Sequence, residues 1–226
     1  MGLKRVLIVI VASLGGVSFA AMGQMPVAPA SPVPSDGLVR VQSGSFDEFY
    51  VRPKSDLASY RKAIIEPAHV SMQRGWLKSV NSTRDVTRWI TSMDMGRITD
   101  AATTSMSSAV ATAFRGRGYE IVAAPGPGVL RLSPIVPDLW VNAPDVQPAD
   151  PARYASVDAG DATLILEARD SVSGALLARV VDRNTARQTF RLNRTTTTSN
   201  VFWFETMFGS WATRCAKEFE AAQVMP

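Results

Sequence analysis

The chain has 226 residues, 46% of them apolar and 19% charged, with one cysteine and one histidine. That length suits a single hydrophobic core, and the composition excludes both a disordered chain and a protein of many membrane spans. The formal charge of +4 overstates the basic character, because two of the 24 basic residues, Lys4 and Arg5, fall in a leader and the excess over the 20 acidic residues drops to two; the remaining arginines are interspersed with acids, which argues against a nucleic-acid-binding face.

Met1 to Arg5 ends on two positive charges, Val6 to Ala12 is aliphatic, and Ser18 and Ala20 close the run with small side chains. This is the order of a cleavable secretory signal peptide, expected over residues 1–20 with cleavage after Ala20 and Gly23 as the second choice. Gly15 and Gly16 leave the apolar run short of the roughly 18 to 20 continuous residues that span a bilayer. No cysteine stands near the cleavage point to take a lipid. The expectation is therefore export to the periplasm or outer-membrane periphery, without an N-terminal lipid or a transmembrane span after cleavage. Residues 21–40, rich in Pro, Ala and Ser, predict an extended tether, and residues 41–226 one α+β domain.

Within that domain, YRKAIIEPAHVSM at Tyr60–Met72 alternates around Ile64, Glu66, Ala68 and Val70 and predicts a strand. Pro67 lacks a ladder donor, which places the strand at an edge or puts a bulge at that point. Trp76 to Asp94 reads as a short helix or a loop around Trp89. From Arg97 to Arg115, Ile98, Ala102, Met106, Ala109, Ala113 and Phe114 recur at helical spacing. Thr99 is the expected N-cap, Asp100 favours the positive end of the dipole, and Gly116 and Gly118 supply the stop.

Three short apolar or alternating runs follow, YEIVAA, GVLRLSPIV and ATLILEAR, with APGPG as a tight turn between the first two. Asp170 to Gly174 then returns ATLILEAR into ALLARVVD as a hairpin, with Leu164 and Leu166 toward the core and Glu167 and Arg169 on the opposite face. A final helix beginning near Asn200 carries Phe204, Phe208, Trp211, Cys215 and Phe219 at steps of three and four. Two principal helices on one face of a mainly antiparallel sheet make an α+β fold.

Several of these segments taken in order resemble the Domain of Unknown Function 3313 family of bacterial envelope proteins: FDEFYVRP at Phe46, YRKAIIEPAHV, PGPGVLRL, EARDSVSGALLARVVD and FGSWATRCAKEFE. The resemblance implies an exported α+β domain with no assigned reaction and no catalytic residues to carry over. Members of that family are often lipoproteins, and this chain departs from them in lacking the acylated cysteine.

The chemistry-bearing residues are few. His69 and the distant Cys215 fall short of a zinc ligand set, and neither a Gly-x-Ser-x-Gly elbow nor a phosphate-binding glycine loop occurs; no cofactor is expected. Glu167 and Asp170 could be paired carboxylates for glycoside cleavage, though an Asp opening DSVSG also has a turn to close. Cys215 could be a nucleophile, though a lone helical cysteine also serves as a small core residue. Phe202, Trp203 and Trp211, with Phe204 and Phe208, form the densest aromatic patch, which is either the wedge of the core or, where exposed, an interaction surface. The sequence thus favours a non-enzymatic periplasmic or cell-envelope domain binding an envelope protein or polymer through a sheet edge or the aromatic helix. The alternatives are an envelope hydrolase using carboxylates near Glu167 and a thiol-dependent enzyme using Cys215.

Overall fold

A computed structural model describes residues 37–142, 158–187 and 197–222. The signal peptide and most of the tether expected from the sequence lie outside them. Chain contacts divide the molecule after Val33, and every described residue belongs to the unit Pro34–Pro226.

In chain order the strands are β1 (Val39–Val41), β2 (Glu48–Val51), β3 (Lys62–Ile65), β4 (His69–Met72), β5 (Glu120–Ile121), β6 (Val129–Val141), β7 (Asp158–Asp170) and β8 (Leu176–Arg187). The helices are α1 (Trp76–Asn81), α2 (Ser92–Arg115) and α3 (Thr197–Ala222). One mixed, mostly antiparallel sheet has the order β1-β2-β8-β7-β6-β3-β5, and β4 joins it by pairing with β6. The fold is α+β. β1 begins at Val39, inside the last residues assigned to the tether.

The antiparallel part is centred on one hairpin. β7 and β8 meet through Asp170, whose carboxylate accepts the N–H groups of Val172 and Ser173 and the Ser173 hydroxyl. Strand parity then buries Leu164 and Leu166 completely. Glu167 and Arg169 take the other face, where Glu167 lies opposite Arg179 of β8.

Two departures from the sequence reading concern β3 to β6. Tyr60–Met72 is two strands, β3 and β4, each parallel to successive halves of β6. Pro67 breaks them apart because it has no N–H to give. Around it the backbone donors find other acceptors: Glu66 N–H reaches Leu132 O at 2.9 Å, and Ala68 N–H reaches Ser107 Oγ of α2 at 2.9 Å. Before the break it is Ala63, not Ile64, that is fully buried, so the alternation there runs one residue out of the expected phase. YEIVAA contributes only the two residues of β5, while GVLRLSPIV extends to the 13-residue β6. A register shift in β6 between Ile135 and Trp140 reverses its parity, so that Leu130 and Leu132 face inward before it and Val141 after it. There Asp138 accepts both the N–H and the hydroxyl of Thr163, each at 2.7 Å.

α2 starts at Ser92, ahead of the expected Arg97. Its N-cap is Thr91, not Thr99: Thr91 Oγ1 accepts the Asp94 N–H at 3.2 Å, and Asp94 returns by accepting the Thr91 N–H at 2.9 Å. This reciprocal box satisfies two donors that an open helix end would leave bare. Thr99 instead donates its hydroxyl back to Gly96 O at 2.8 Å within the helix.

α2 and α3 pack side by side over the sheet and run in the same direction, since Arg117 just past the end of α2 pairs with Glu220 near the end of α3 at 2.8 Å. Between them and the strands lies one core whose largest fully buried members include Trp76, Phe114, Phe208, Trp211 and Phe219. Each such side chain contributes roughly 1.5–3 kcal/mol of burial. Phe219 holds the layers together, with Phe114 of α2 at 5.8 Å and Phe49 of β2 at 6.3 Å between ring centroids.

Candidate functional site

The aromatic helix divides by its own periodicity. Phe204, Phe208, Trp211, Cys215 and Phe219 lie on one stripe and are all buried. Trp211, one of the three aromatics singled out from sequence, is 0% exposed and belongs to the wedge of the core, with an indole N–H that has no hydrogen-bond partner among the described residues. Phe202 is 56% exposed. Trp203 is half-buried beside it, the two rings 5.1 Å apart and near perpendicular. The structure therefore brings Phe202 and Trp203 together at the start of α3 and leaves Trp211 without a surface to offer.

Glu167 is clamped. Arg179 donates from Nε at 3.0 Å and from Nη2 to one carboxylate oxygen, and Arg169 donates to the other at 2.9 Å. Burial pushes this carboxyl up, but the bonds from Arg179 and Arg169 outweigh it and hold the group below its ordinary range. An acid kept ionised between two guanidiniums has no proton to give to a leaving group. Asp170 is likewise spent on its turn, and it also accepts the Tyr60 hydroxyl at 3.0 Å, which with burial raises that phenol to about 12. Cys215 is fully buried, and burial pushes its thiol well above the ordinary value, away from the thiolate a nucleophile needs. His69 stands exposed at the start of β4. Among the described residues no three His, Cys, Asp or Glu side chains gather as a metal site.

The feature not foreseen from sequence is a groove of about 950 Å³ along the outer side of the α2–α3 pair. On α2 its wall includes Ala101, Ser105, Ala109 and Ala113, with Thr104, Ser108 and Thr112 beside them, and on α3 it is Val201, Glu205, Gly209 and Thr213. Both rows repeat every four residues, which aligns them along one side of each helix. The groove exists because the side chains there are short. Gly209 sharpens this, since a Cβ at that position would meet no atom within 4 Å. Asp100 and Glu205 give the groove an acidic end beside Val201, and Arg117 closes the other end. The exposed Phe202 follows Val201 directly. The sequence does carry the signal, as four-residue steps of Ala and Ser along α2, two of which, Ala109 and Ala113, also belong to the margin of its apolar stripe.

Comparison with known proteins gives one family and weak structural likenesses. The sequence model described as "Protein of unknown function (DUF3313)" matches residues 29–215. No curated protein matches. Among solved structures, two PelC dodecamers from Paraburkholderia phytofirmans, the first a single-substitution variant, are 14% and 12% identical to this chain. They align over 74% and 73% of it and 97% and 96% of their own length, with TM-scores of 0.35 and 0.36. Protein XCC0632 from Xanthomonas campestris, described under the family model DUF330, is 12% identical over 73% of this chain and 86% of its own, with a TM-score of 0.40. Likeness at that level carries no argument about what this chain does.

Proposed function

The chain belongs to the DUF3313 family of proteins of unknown function, and from that premise we propose that it is a non-enzymatic binding domain of the cell envelope, exported by its leader, that docks a protein partner along the α2–α3 groove. The observation that carries this reading is the groove itself: about 950 Å³ between two parallel helices, walled mostly by Ala, Ser, Thr and Gly, with Val201 and Glu205 at one end. Short side chains let another backbone approach closely, and the exposed Phe202, on the same helix as Val201, is an aromatic of the kind that dominates interface energies.

The two enzymatic alternatives lose ground on geometry. Glu167 is held as an ion by Arg169 and Arg179, and Cys215 is sealed in the core. Export and an envelope location rest on the order of residues 1–20 and belong to the same proposal.

Gly209→Leu tests the docking site. A Cβ there meets no atom within 4 Å, and an unchanged circular dichroism spectrum and melting temperature check that the fold stays intact while the leucine fills the groove. A photo-crosslinking residue placed at Thr213 in living cells is expected to give a discrete adduct with an envelope protein, at least tenfold weaker in the Gly209→Leu background. No adduct, or one indifferent to Gly209→Leu, removes the groove as the site. Recovery of the intact leader on protein from the cytosol removes the envelope assignment.

A further inference from the structure

Seven large apolar side chains are exposed among the described residues, and three of them, Val86, Trp89 and Met93, fall within one short segment, exposed by 72%, 50% and 74%. They sit on a 3-10 turn, Val86–Arg88, and at the first turn of α2. The segment is fixed in place. Asn81 of α1 accepts the Ile90 N–H at 2.8 Å and donates to Ile90 O at 2.9 Å, and the Ile90 side chain is buried. Trp89 is further held by its own indole N–H, which donates to Arg84 O at 3.2 Å. With Ile90 plugged into the core, its neighbours Trp89 and Met93 are turned outward by backbone geometry.

The surroundings of this knob are cationic. Between residues 74 and 97 the chain carries Arg74, Lys78, Arg84, Arg88 and Arg97 against only Asp85 and Asp94. Asp94 is occupied by Thr91 and by Arg97 at 2.6 Å. Arg74, Lys78 and Arg97 are exposed.

We propose that this end of the domain docks on the surface of a bilayer containing anionic lipid, Val86, Trp89 and Met93 entering the boundary between headgroups and acyl chains while the surrounding cations meet lipid phosphates. A set of exposed apolar side chains within a surplus of one charge fits a fluid surface of opposite charge, which closes around each side chain. Tryptophan is the residue that favours that interfacial depth. Among the described residues no helix is long and apolar enough to cross a membrane, so the contact made here is peripheral and reversible. It is independent of the α2–α3 groove.

The test uses the whole chain, wild type and variants sharing the same N-terminus so that residues 1–36 contribute equally to each. Partition is measured by co-sedimentation with unilamellar vesicles of phosphatidylcholine alone and of phosphatidylcholine with an equal share of phosphatidylglycerol, at low and high salt. Wild type is expected to partition at least tenfold more strongly onto the anionic vesicles and to weaken with salt. The exposed pair Trp89→Ser with Met93→Ser is expected to lower that partition about tenfold, with circular dichroism and melting unchanged. Arg74→Gln and Lys78→Gln each lower it about fivefold. Gly209→Leu leaves it unaltered. Equal partition onto both vesicles, or partition unchanged by the Trp89 and Met93 substitutions, overturns the proposal. So does a loss with Gly209→Leu, which assigns vesicle binding to the groove, and so does a self-association lost with Trp89→Ser in protein that ignores vesicles.

Discussion

Gly160 is the residue whose replacement is most directly forbidden. It has a φ of +150°, and a Cβ built on it overlaps the Trp140 carbonyl oxygen and stands 2.8 Å from Phe204 Cζ. Since β6, β7 and α3 all meet there, no single side chain can move to make room. Gly160→Ala is expected to cost about 3 kcal/mol, lowering the melting temperature by roughly 6–12 °C; a drop below about 2 °C would mean that Phe204 is not wedged as described. Glu167 poses a different question at the same scale. Unfolded, it titrates near its ordinary 4.5, and folded, its arginine partners hold it lower. The ion pairs therefore stabilise the fold fully above the unfolded value, and that contribution is lost as pH falls through the folded one. Glu167→Gln is expected to cost about 2 kcal/mol at neutral pH, and urea titrations should show the gap from wild type closing below about pH 4. A gap that persists unchanged in acid would place the cost in packing.

At the scale of elements, the two candidate caps of α2 make opposite predictions. Thr91→Ala removes one half of a reciprocal box and is expected to cost about 1 kcal/mol. Thr99→Ala removes only a hydroxyl bonded back along its own helix and is expected to be neutral or slightly stabilising. Denaturant unfolding of the two variants decides between them, and equal losses would put the helix start where the sequence alone suggested. The body of α2 was legible because Met106, Ala109, Ala113 and Phe114 repeat at helical spacing. Its start was not, because Met93 points to solvent and Asp94 is buried at the cap, the reverse of what apolar periodicity assumes. The hairpin at Asp170 was legible for the converse reason, its turn chemistry and strand parity agreeing. The groove escaped notice because its signal is a lack of side-chain size, and the aromatic residues of α3 point mainly to where the core is. Trp211, read with Phe202 and Trp203 as one patch, shows the limit: residues adjacent in composition separate by face once the helix is packed.

Across the whole molecule, the parallel pairing of β3 and β4 with β6 was the step hardest to read from sequence. Parallel neighbours need a long crossover, and here α1, α2 and β5 make up that connection, so the pairing becomes visible only when α2 is laid over the sheet. The result is a sheet of unequal strength. β7 is hydrogen-bonded to β6 on one side and β8 on the other over most of its 13 residues, and its inward side chains Ala162, Leu164, Leu166 and Ala168 are fully buried. At the margins, β1 has three residues and β5 has two, each with a single neighbour in the sheet among the described residues. Opening β7 requires separating three long strands from the helices above them, which is close to unfolding the unit, whereas β1 and β5 can part while the core stays closed. Hydrogen exchange should therefore find the β7 amides between Thr163 and Ala168 the slowest, exchanging with the global unfolding free energy. Amides of Val39–Val41 and Glu120–Ile121 should exchange at least a hundredfold faster, through local opening. Protection of β1 equal to that of β7 would show that its free edge is covered in solution, and would move the search for a partner from the helices to that edge.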